Sequence, residues 1–363
     1  MSNRIRIKDI AERAGVSHGT VDRVLHNRGN VSAKAKKKVL RALDEMDYSP
    51  NILASALAYN KIWKIAALIP DDNQDAFWIQ PKDGILRAIQ VLKDYGVQLE
   101  FFHFNSGNKD IFKKQAERIL EGNFNAVIIS PIFIKESLEF FEACEIKNLP
   151  FVQINTFLEF AGPMFLSYIG QDSYHSGRLA ARLMAYGLNK GETALICHLE
   201  DMVDNAQHLI DKENGFREYF YERPELRIGV NQIHYTTPEK VKNFSIYLEK
   251  VLSKDNGIKG LFVTTSKAFY VVKALNRIKR KDIRIVGFDL IPDNIKKLES
   301  NEINFLINQN PEKQGYFSVI NIFNFLIRKM NPKPIQHLPL DVVLKENVSY
   351  YIDKSYEEIP IVF

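Results

Sequence analysis

From residue 62 onward the chain alternates short apolar runs with amphipathic stretches, and no other feature narrows its fold as far. The runs are KIAALI (64–69), VQLEFFHF (97–104), NAVIIS (125–130), PFVQIN (150–155), ALICHL (194–199), GLFVTT (260–265) and RIVGFD (284–289). Each has strand length, and stretches between them such as GILRAIQVLKDYG and GRLAARLMAYGL carry helical spacing. Strand–helix alternation predicts parallel, doubly wound α/β sheets joined by right-handed crossovers. About 300 residues fit two such lobes. Ligands of these sheets bind beyond the carboxyl ends of the strands, which here would lie between facing lobes.

The first 61 residues differ in kind. They hold 12 Lys+Arg against 6 Asp+Glu, while the remainder holds 37 against 38. The formal net charge of +5 on 363 residues therefore sits in the first sixth of the chain. A basic module ahead of a nearly neutral body suits a polyanion. Charge alone fits a solvated surface equally well, so the residue pattern has to decide. Cys144 and Cys197 cannot build a disulfide framework, which points to a reducing compartment. No apolar run approaches the ~18 residues of a membrane span. The opening MSNRIRIKDIAERAG has no signal-peptide core, so a cytoplasmic location is expected.

Within the head, Ile7, Ile10, Ala11 and Ala14 recur at helical spacing. Gly15 fits the left-handed residue that ends a helix. Ser17 can cap a second helix running to about His26, with Val21, Val24 and Leu25 facing inward. Ser32 caps a third through about Asp47, its apolar side formed by Val39, Leu40, Leu43 and Met46. Three short helices with a Gly-Val-Ser turn between the first two match a helix-turn-helix.

The segment IKDIAERAGVSHGTVDRVLHNRGNVSAKAKKKVLRALDEMDYSPN strongly resembles the head of lactose-repressor-type transcription regulators. The resemblance implies that the helix opening at Ser17 enters the DNA major groove. His18, Gly19 and Arg23 would face base edges, and Ser17, Thr20, Asn27 and Ser32 would lie near phosphates, where donors set register. Ser17 and Ser32 also serve as caps, and His18 can be read as a merely exposed histidine. Arg23 is the strongest base reader, because its planar fork can pair with guanine O6 and N7. Two positions depart from the family. Gly19 removes a side chain from a reading position, and Asp22 brings a carboxylate near phosphates unless it orients Arg23 or accepts from a cytosine amine.

Tyr48, Ser49, Pro50 and Asn51 precede ILASALA (52–58). Pro50 cannot continue the preceding helix, and Asn51 can cap a new one. Two turns fall short of the ~12–15 residues an isolated helix needs, so this hinge helix should form only on DNA beside a second copy. The resemblance implies that Leu57 wedges into the central minor-groove step. The alternative is a linker whose Leu53 and Leu57 pack on the body.

The body also resembles that of the same regulators, which is periplasmic-binding-protein-like (type I), with the sugar-binding branch nearest. The marks are AFWIQPKDGILRA, IGQDSYHSGRLAARLM, ENGFREYF, VGFD, INQNPEKQG and LPLDVVLKENVSYY, in that order. The expected division is a DNA-binding domain at 1–49, a hinge at 50–61, and an effector-binding body at 62–363. Its lobes would interleave, one being about 62–168 with 310–330, the other about 169–309 with 331–363. Strand ends then nominate an effector site: Phe77 and Trp78, whose faces suit a pyranose or otherwise pack in the core, with Asn155, Asp172, Lys212, Thr265, Asp289 and Gln309. Asp172 could instead cap its helix, and Thr265 carries a one-residue uncertainty against Ser266. Lys212 and Thr265 stand where the resemblance implies Arg and Asn, and a lysine there admits an acidic or phosphorylated sugar.

The sequence has no GxGxxG, Walker loop, GxSxG or HExxH, so no catalytic residue, cofactor or metal is expected. Cys197 and His198 have no second ligand pair nearby and read as buried packing. The expected partners are a pseudo-palindromic double-stranded operator, a small sugar-like effector and a second copy of the chain, with no membrane. Paired heads need a twofold, and no leucine heptad follows Tyr351 to build more than a homodimer. The rival readings are a transport solute receptor, a doubly wound enzyme, and a regulator whose effector is a nucleobase.

Overall fold

A computed structural model describes residues 6–25, 31–46, 62–200, 205–254 and 257–353. The chain divides into two units, residues 1–60 and 61–363.

The first unit contains α1 (Ile7–Ala14), α2 (His18–Leu25) and α3 (Ala33–Glu45). Gly15 ends α1 at φ +62°, a conformation that glycine adopts without a Cβ penalty. Ser17 Oγ accepts the Thr20 N–H at 3.2 Å, and Ser32 Oγ accepts the Ala35 N–H at 3.3 Å. Both serines thus satisfy an orphan donor at a helix start. Ile10, Ala11, Ala14, Val21, Val39 and Ala42 form the core. Leu40, expected on the apolar side of α3, is instead 51% exposed. The stripe follows Val39, Ala42, Leu43 and Met46 at steps of three, one and three, and Leu40 falls on the flank of that narrow face.

The second unit consists of two lobes. The first is built on a parallel sheet of order β11-β5-β4-β3-β1-β2. Its strands are β1 (Trp63–Pro70), β2 (Val97–Phe104), β3 (Ala126–Ile129), β4 (Phe151–Ile154), β5 (Phe165–Gly170) and β11 (Ile335–His337). Helices α4 (Ile79–Leu92), α5 (Lys109–Glu121) and α6 (Ile134–Lys147) connect them. The second sheet has the order β12-β10-β9-β8-β6-β7, made of β6 (Thr193–His198), β7 (Gly229–His234), β8 (Ile258–Val263), β9 (Arg284–Phe288), β10 (Phe305–Asn308) and the antiparallel edge β12 (Asp341–Val343). The helix α7 (Ser173–Ala185) leads into this sheet, and between its strands run α8 (Gln207–Tyr221), α9 (Val241–Lys254), α10 (Ala268–Arg277) and α11 (Pro292–Glu299). Then α12 (Pro311–Leu326) packs back on the first lobe, against α4, and α13 (Ser349–Ile352) ends the described chain.

Helices cover both faces of each sheet, which explains the unbroken apolar runs. Leu195, Leu261 and Ile285 point into one core of the second lobe, while their neighbours Ile196, Phe262 and Val286 point into the other. The expected return to the second lobe at 331 moves. Ile335–His337 pairs parallel with Tyr168–Gly170, so the chain crosses between His337 and Asp341. A three-residue edge strand carries too little periodicity to be assigned from sequence.

Candidate functional site

On α2, His18, Gly19 and Arg23 are exposed, beside half-buried Thr20 and the exposed cap Ser17. Ser17 Oγ and Thr20 Oγ1 lie 2.9 Å apart. A Cβ built at Gly19 would meet nothing within 4 Å, so packing does not demand glycine there. Asn27, Asn51 and Leu57, together with the expected hinge, lie outside the described residues.

In the second unit, the strand ends of both lobes converge on a cavity of about 80 Å³. That is several times the roughly 10–15 Å³ that one water needs. Each sheet has the β2-β1-β3 type of switch point, at β1/β3 in the first lobe and β6/β8 in the second, and the cavity opens where those strand ends face each other. Phe77, Trp78, Asn155, Lys212, Thr265, Asp289 and Gln309 all line it, and so does Ser266, so both alternatives at that strand end face inward.

Asp172 does not line the cavity. Its Oδ1 accepts the His175 N–H at 2.8 Å as the N-cap of α7, and its Oδ2 lies 2.8 Å from His175 Nδ1. The orphan amides of a helix start claimed the carboxylate that position in the chain had suggested for the effector.

Polar side chains in the cavity are held by one another. Lys212, 2% exposed, donates from Nζ to the Thr264 carbonyl at 3.0 Å, and its ammonium sits 3.7 Å from the centroid of the Phe288 ring. Burial pushes this ammonium's pKa down, and Asp289 opposes that shift. Asp289, itself 2% exposed, has its carboxyl raised by burial, against the pull of Lys212 and of Gln309. Gln309 Nε2 donates to both Asp289 oxygens, at 2.7 and 2.9 Å. Lys212 and Asp289 are thus two buried, oppositely charged groups that act on each other from beyond ion-pair distance, with the ammonium held by the Thr264 carbonyl and the Phe288 ring.

Asn155 and Asp289 end their strands at φ +66° and +70°, a left-handed conformation that only short polar side chains and glycine adopt readily. Buried Asn294 holds the second of these ends: its Nδ2 donates to the carbonyls of Ser266 (2.8 Å), Phe288 (2.9 Å) and Asp289 (3.2 Å). Phe77 and Trp78 are buried and meet edge to face with centroids 5.1 Å apart, within a short turn capped by Asp75.

Sequence reasoning missed Asp75 and His208 in the lining. His208 Nδ1 lies 3.1 Å from Thr156 Oγ1 across the lobes, and burial, with Lys212 nearby, drops its pKa to about 3, so it stays neutral. Gln80 Nε2 donates to the Leu290 carbonyl (3.2 Å) and Asn205 Nδ2 to Glu136 Oε2 (3.2 Å), further ties between the lobes. Neither Asp75 nor His208 sits in a periodic run; one lies in a loop and the other on the first turn of α8.

His198 does not line the cavity. Its Nε2 is 2.7 Å from Glu213 and its Nδ1 is 3.1 Å from Thr264 Oγ1, which braces the loop whose carbonyl receives Lys212. Cys144 and Cys197 are buried free thiols. Among the described residues, no helix is long and apolar enough to cross a membrane.

Comparison with known proteins agrees with this architecture. Residues 65–327 match the family described as "Periplasmic binding protein domain", and residues 6–51 match "Bacterial regulatory proteins, lacI family". A curated relative, the "Ribose operon repressor" of Halalkalibacterium halodurans, is 26% identical over 79% of this chain and 80% of its own. The crystal structure of a putative LacI transcriptional regulator from Bacteroides fragilis superposes with a TM-score of 0.74 at 23% identity, over 80% of this chain and 100% of that one. A glucose-galactose binding protein from Geobacillus stearothermophilus, GanP, gives 0.68 at 21%, over 79% and 99%. With a lacI-type helix-turn-helix in front of a periplasmic-binding-protein domain that fills most of its length, the chain belongs to the lacI family of bacterial regulatory proteins and is a DNA-binding transcription regulator.

Proposed function

We propose that this regulator is a cytoplasmic homodimeric repressor of carbohydrate genes, whose grip on a pseudo-palindromic operator is set by a sugar or sugar derivative bound between the lobes. The observation that carries this reading is the cavity's composition. Phe77, Trp78 and Asn155 come from one lobe, Lys212, Asp289 and Gln309 from the other. A ligand touching both groups binds the closed arrangement better than an open one, and that differential affinity is what shifts a population. Residues 50–61 would carry the shift to the heads, with Asn51 capping the hinge helix and Leu57 entering the minor groove. The names of the relatives, a ribose operon repressor and a glucose-galactose binding protein, favour a sugar over a purine.

The test is a thermal-shift screen of mono- and disaccharides beside purines, followed by operator binding with each hit. A sugar should raise the melting temperature and change operator affinity about 5–150-fold, the range of a typical allosteric coupling. A confirmed sugar ligand that left operator affinity unchanged would overturn the mechanism; purines alone would move the reading to a nucleobase effector.

His18, Arg23 and the serines would make the DNA contacts. Arg23→Ala should erase the preference at one position of each half-site, a loss of about 1–3 kcal/mol of discrimination. Selection from random duplexes reads this directly. Equal weakening on all sequences would make Arg23 a phosphate contact.

A further inference from the structure

The cavity's charges do not balance. Asp289 faces Lys212, and Glu200 pairs with Lys267 Nζ at 2.8 Å. Among the described residues Asp75 has no lysine or arginine within ion-pair distance; Lys267 acts on it from farther off, and burial raises its carboxyl's pKa. Its hydrogen bonds come from neutral donors, the Phe77 N–H at 3.0 Å and the Ser266 side chain. Counting Asp75, Glu200 and Asp289 against Lys212 and Lys267, carboxyl groups outnumber ammonium groups by one, and burial together with repulsion from Asp75 raises the pKa of the Asp289 carboxyl, a cost that a cation between the two would relieve.

A second observation, independent of the carboxylates, points the same way. Gln309 is 2% exposed, lines the cavity, and donates its Nε2 to Asp289, yet its Oε1 has no hydrogen-bond partner. The cavity therefore offers an unfilled neutral acceptor beside carboxylate acceptors from both lobes. A sugar hydroxyl supplies one donor and brings acceptors of its own, whereas an ammonium group supplies three donors, no acceptor and the missing positive charge. An acidic ligand would add a further negative charge to a site that already has one too many.

From this arrangement we infer that the effector carries a basic amine, as in an amino sugar, and that its ammonium group sits between Asp75, Asp289 and Gln309 Oε1. The inference rests on the reading of the cavity as the effector site. It makes Asp75 a specificity-determining residue, and the amine the element that lets carboxylates of opposite lobes approach each other.

Calorimetry on the full chain at pH 6.5 would compare D-glucosamine with D-glucose, D-galactosamine with D-galactose, and D-mannosamine with D-mannose. At least one amino sugar should bind about tenfold more tightly than its parent, the size expected of a charge-assisted hydrogen bond. In Asp75→Asn, which keeps an oxygen for the Phe77 N–H, that ratio should fall to about one. Neutral sugars binding as well as their amino partners would overturn the amine inference while leaving the effector cavity in place. Silence from all three pairs would also overturn it, and the broader sugar and purine screen would then decide whether the cavity takes an effector at all. Unchanged amine preference in Asp75→Asn would remove Asp75 from the role.

Discussion

Gly177→Ala should lower the melting temperature of the protein by several degrees and weaken effector binding with it. A Cβ built at Gly177 would stand 2.0 Å from the carbonyl oxygen of Lys212 and 2.9 Å from its Cα. The obstacle is backbone, so no side-chain rotation relieves it, and α8 must move away from α7. Overpacking of this kind costs about 1–3 kcal/mol, with the upper end expected when backbone meets backbone. Gly215 mirrors the contact: its Cβ would fall 2.0 Å from the carbonyl of Tyr174. The two glycines let α7 and α8 cross at close range, and that crossing places Lys212 against Phe288 and the Thr264 carbonyl. The first lobe supplies the control. Gly84 and Gly315 join α4 and α12 in the same way, with 1.9 Å to the Glu312 carbonyl and 2.0 Å to that of Pro81. Gly84→Ala should therefore cost similar stability and a smaller fraction of the affinity, measured by thermal melts and calorimetry side by side. Equal loss of affinity in both variants would mean that the α7–α8 crossing does not specifically position Lys212.

That crossing also marks how far the sequence can be read. The strands buried on both faces were legible, because KIAALI or GLFVTT can hardly be anything else once helices alternate with them. β5 and the polar edge strand β7, GVNQIH, were not, since one carries a Ser and a Tyr in its run and the other leaves most of its residues in contact with solvent. Asn155, Asp289 and Gln309 could be placed because a strand end in a doubly wound sheet is a site by geometry. Asp75, His208 and Asn294 could not, for their positions depend on how loops and helix starts fold back, which no period records. Asp172 failed for a local reason, as a helix start found its carboxylate first. The resemblance supplied the expectation at Lys212, but only the structure disclosed that its ammonium already meets the Thr264 carbonyl and the Phe288 ring.

The buried opposite charges of Lys212 and Asp289 make the second large prediction. Lys212→Met keeps the length and the apolar stem over Phe288 but leaves Asp289 buried with only Gln309 for company. Removing one of two buried opposite charges costs at most the roughly 3–5 kcal/mol of a pair in contact, and in a unit this large about 2 kcal/mol is a fall in melting temperature of roughly 4 °C or more. Replacing both partners, as in Lys212→Met with Asp289→Asn, removes both charges and should recover most of the loss, since apolar and neutral replacements of buried pairs are often no less stable than the pair. Dependence on pH separates these cases. Burial holds the Asp289 carboxyl above its ordinary 3.8, so the folded state keeps a proton that the unfolded chain releases, and stability present in acid is lost as pH climbs above the usual carboxylate range. Burial holds the Lys212 ammonium below its ordinary 10.5, so stability returns as pH approaches that value. The native pair should therefore imprint a shallow minimum near neutral pH on the stability profile, and the double variant should lack it. Thermal melts from pH 5 to 10 would detect the difference. Both variants should lose effector binding about tenfold or more, because each removes a polar group from the cavity wall. If the double variant were no more stable than Lys212→Met, the two charges would not be compensating each other, and a flat native profile would say the same of their burial.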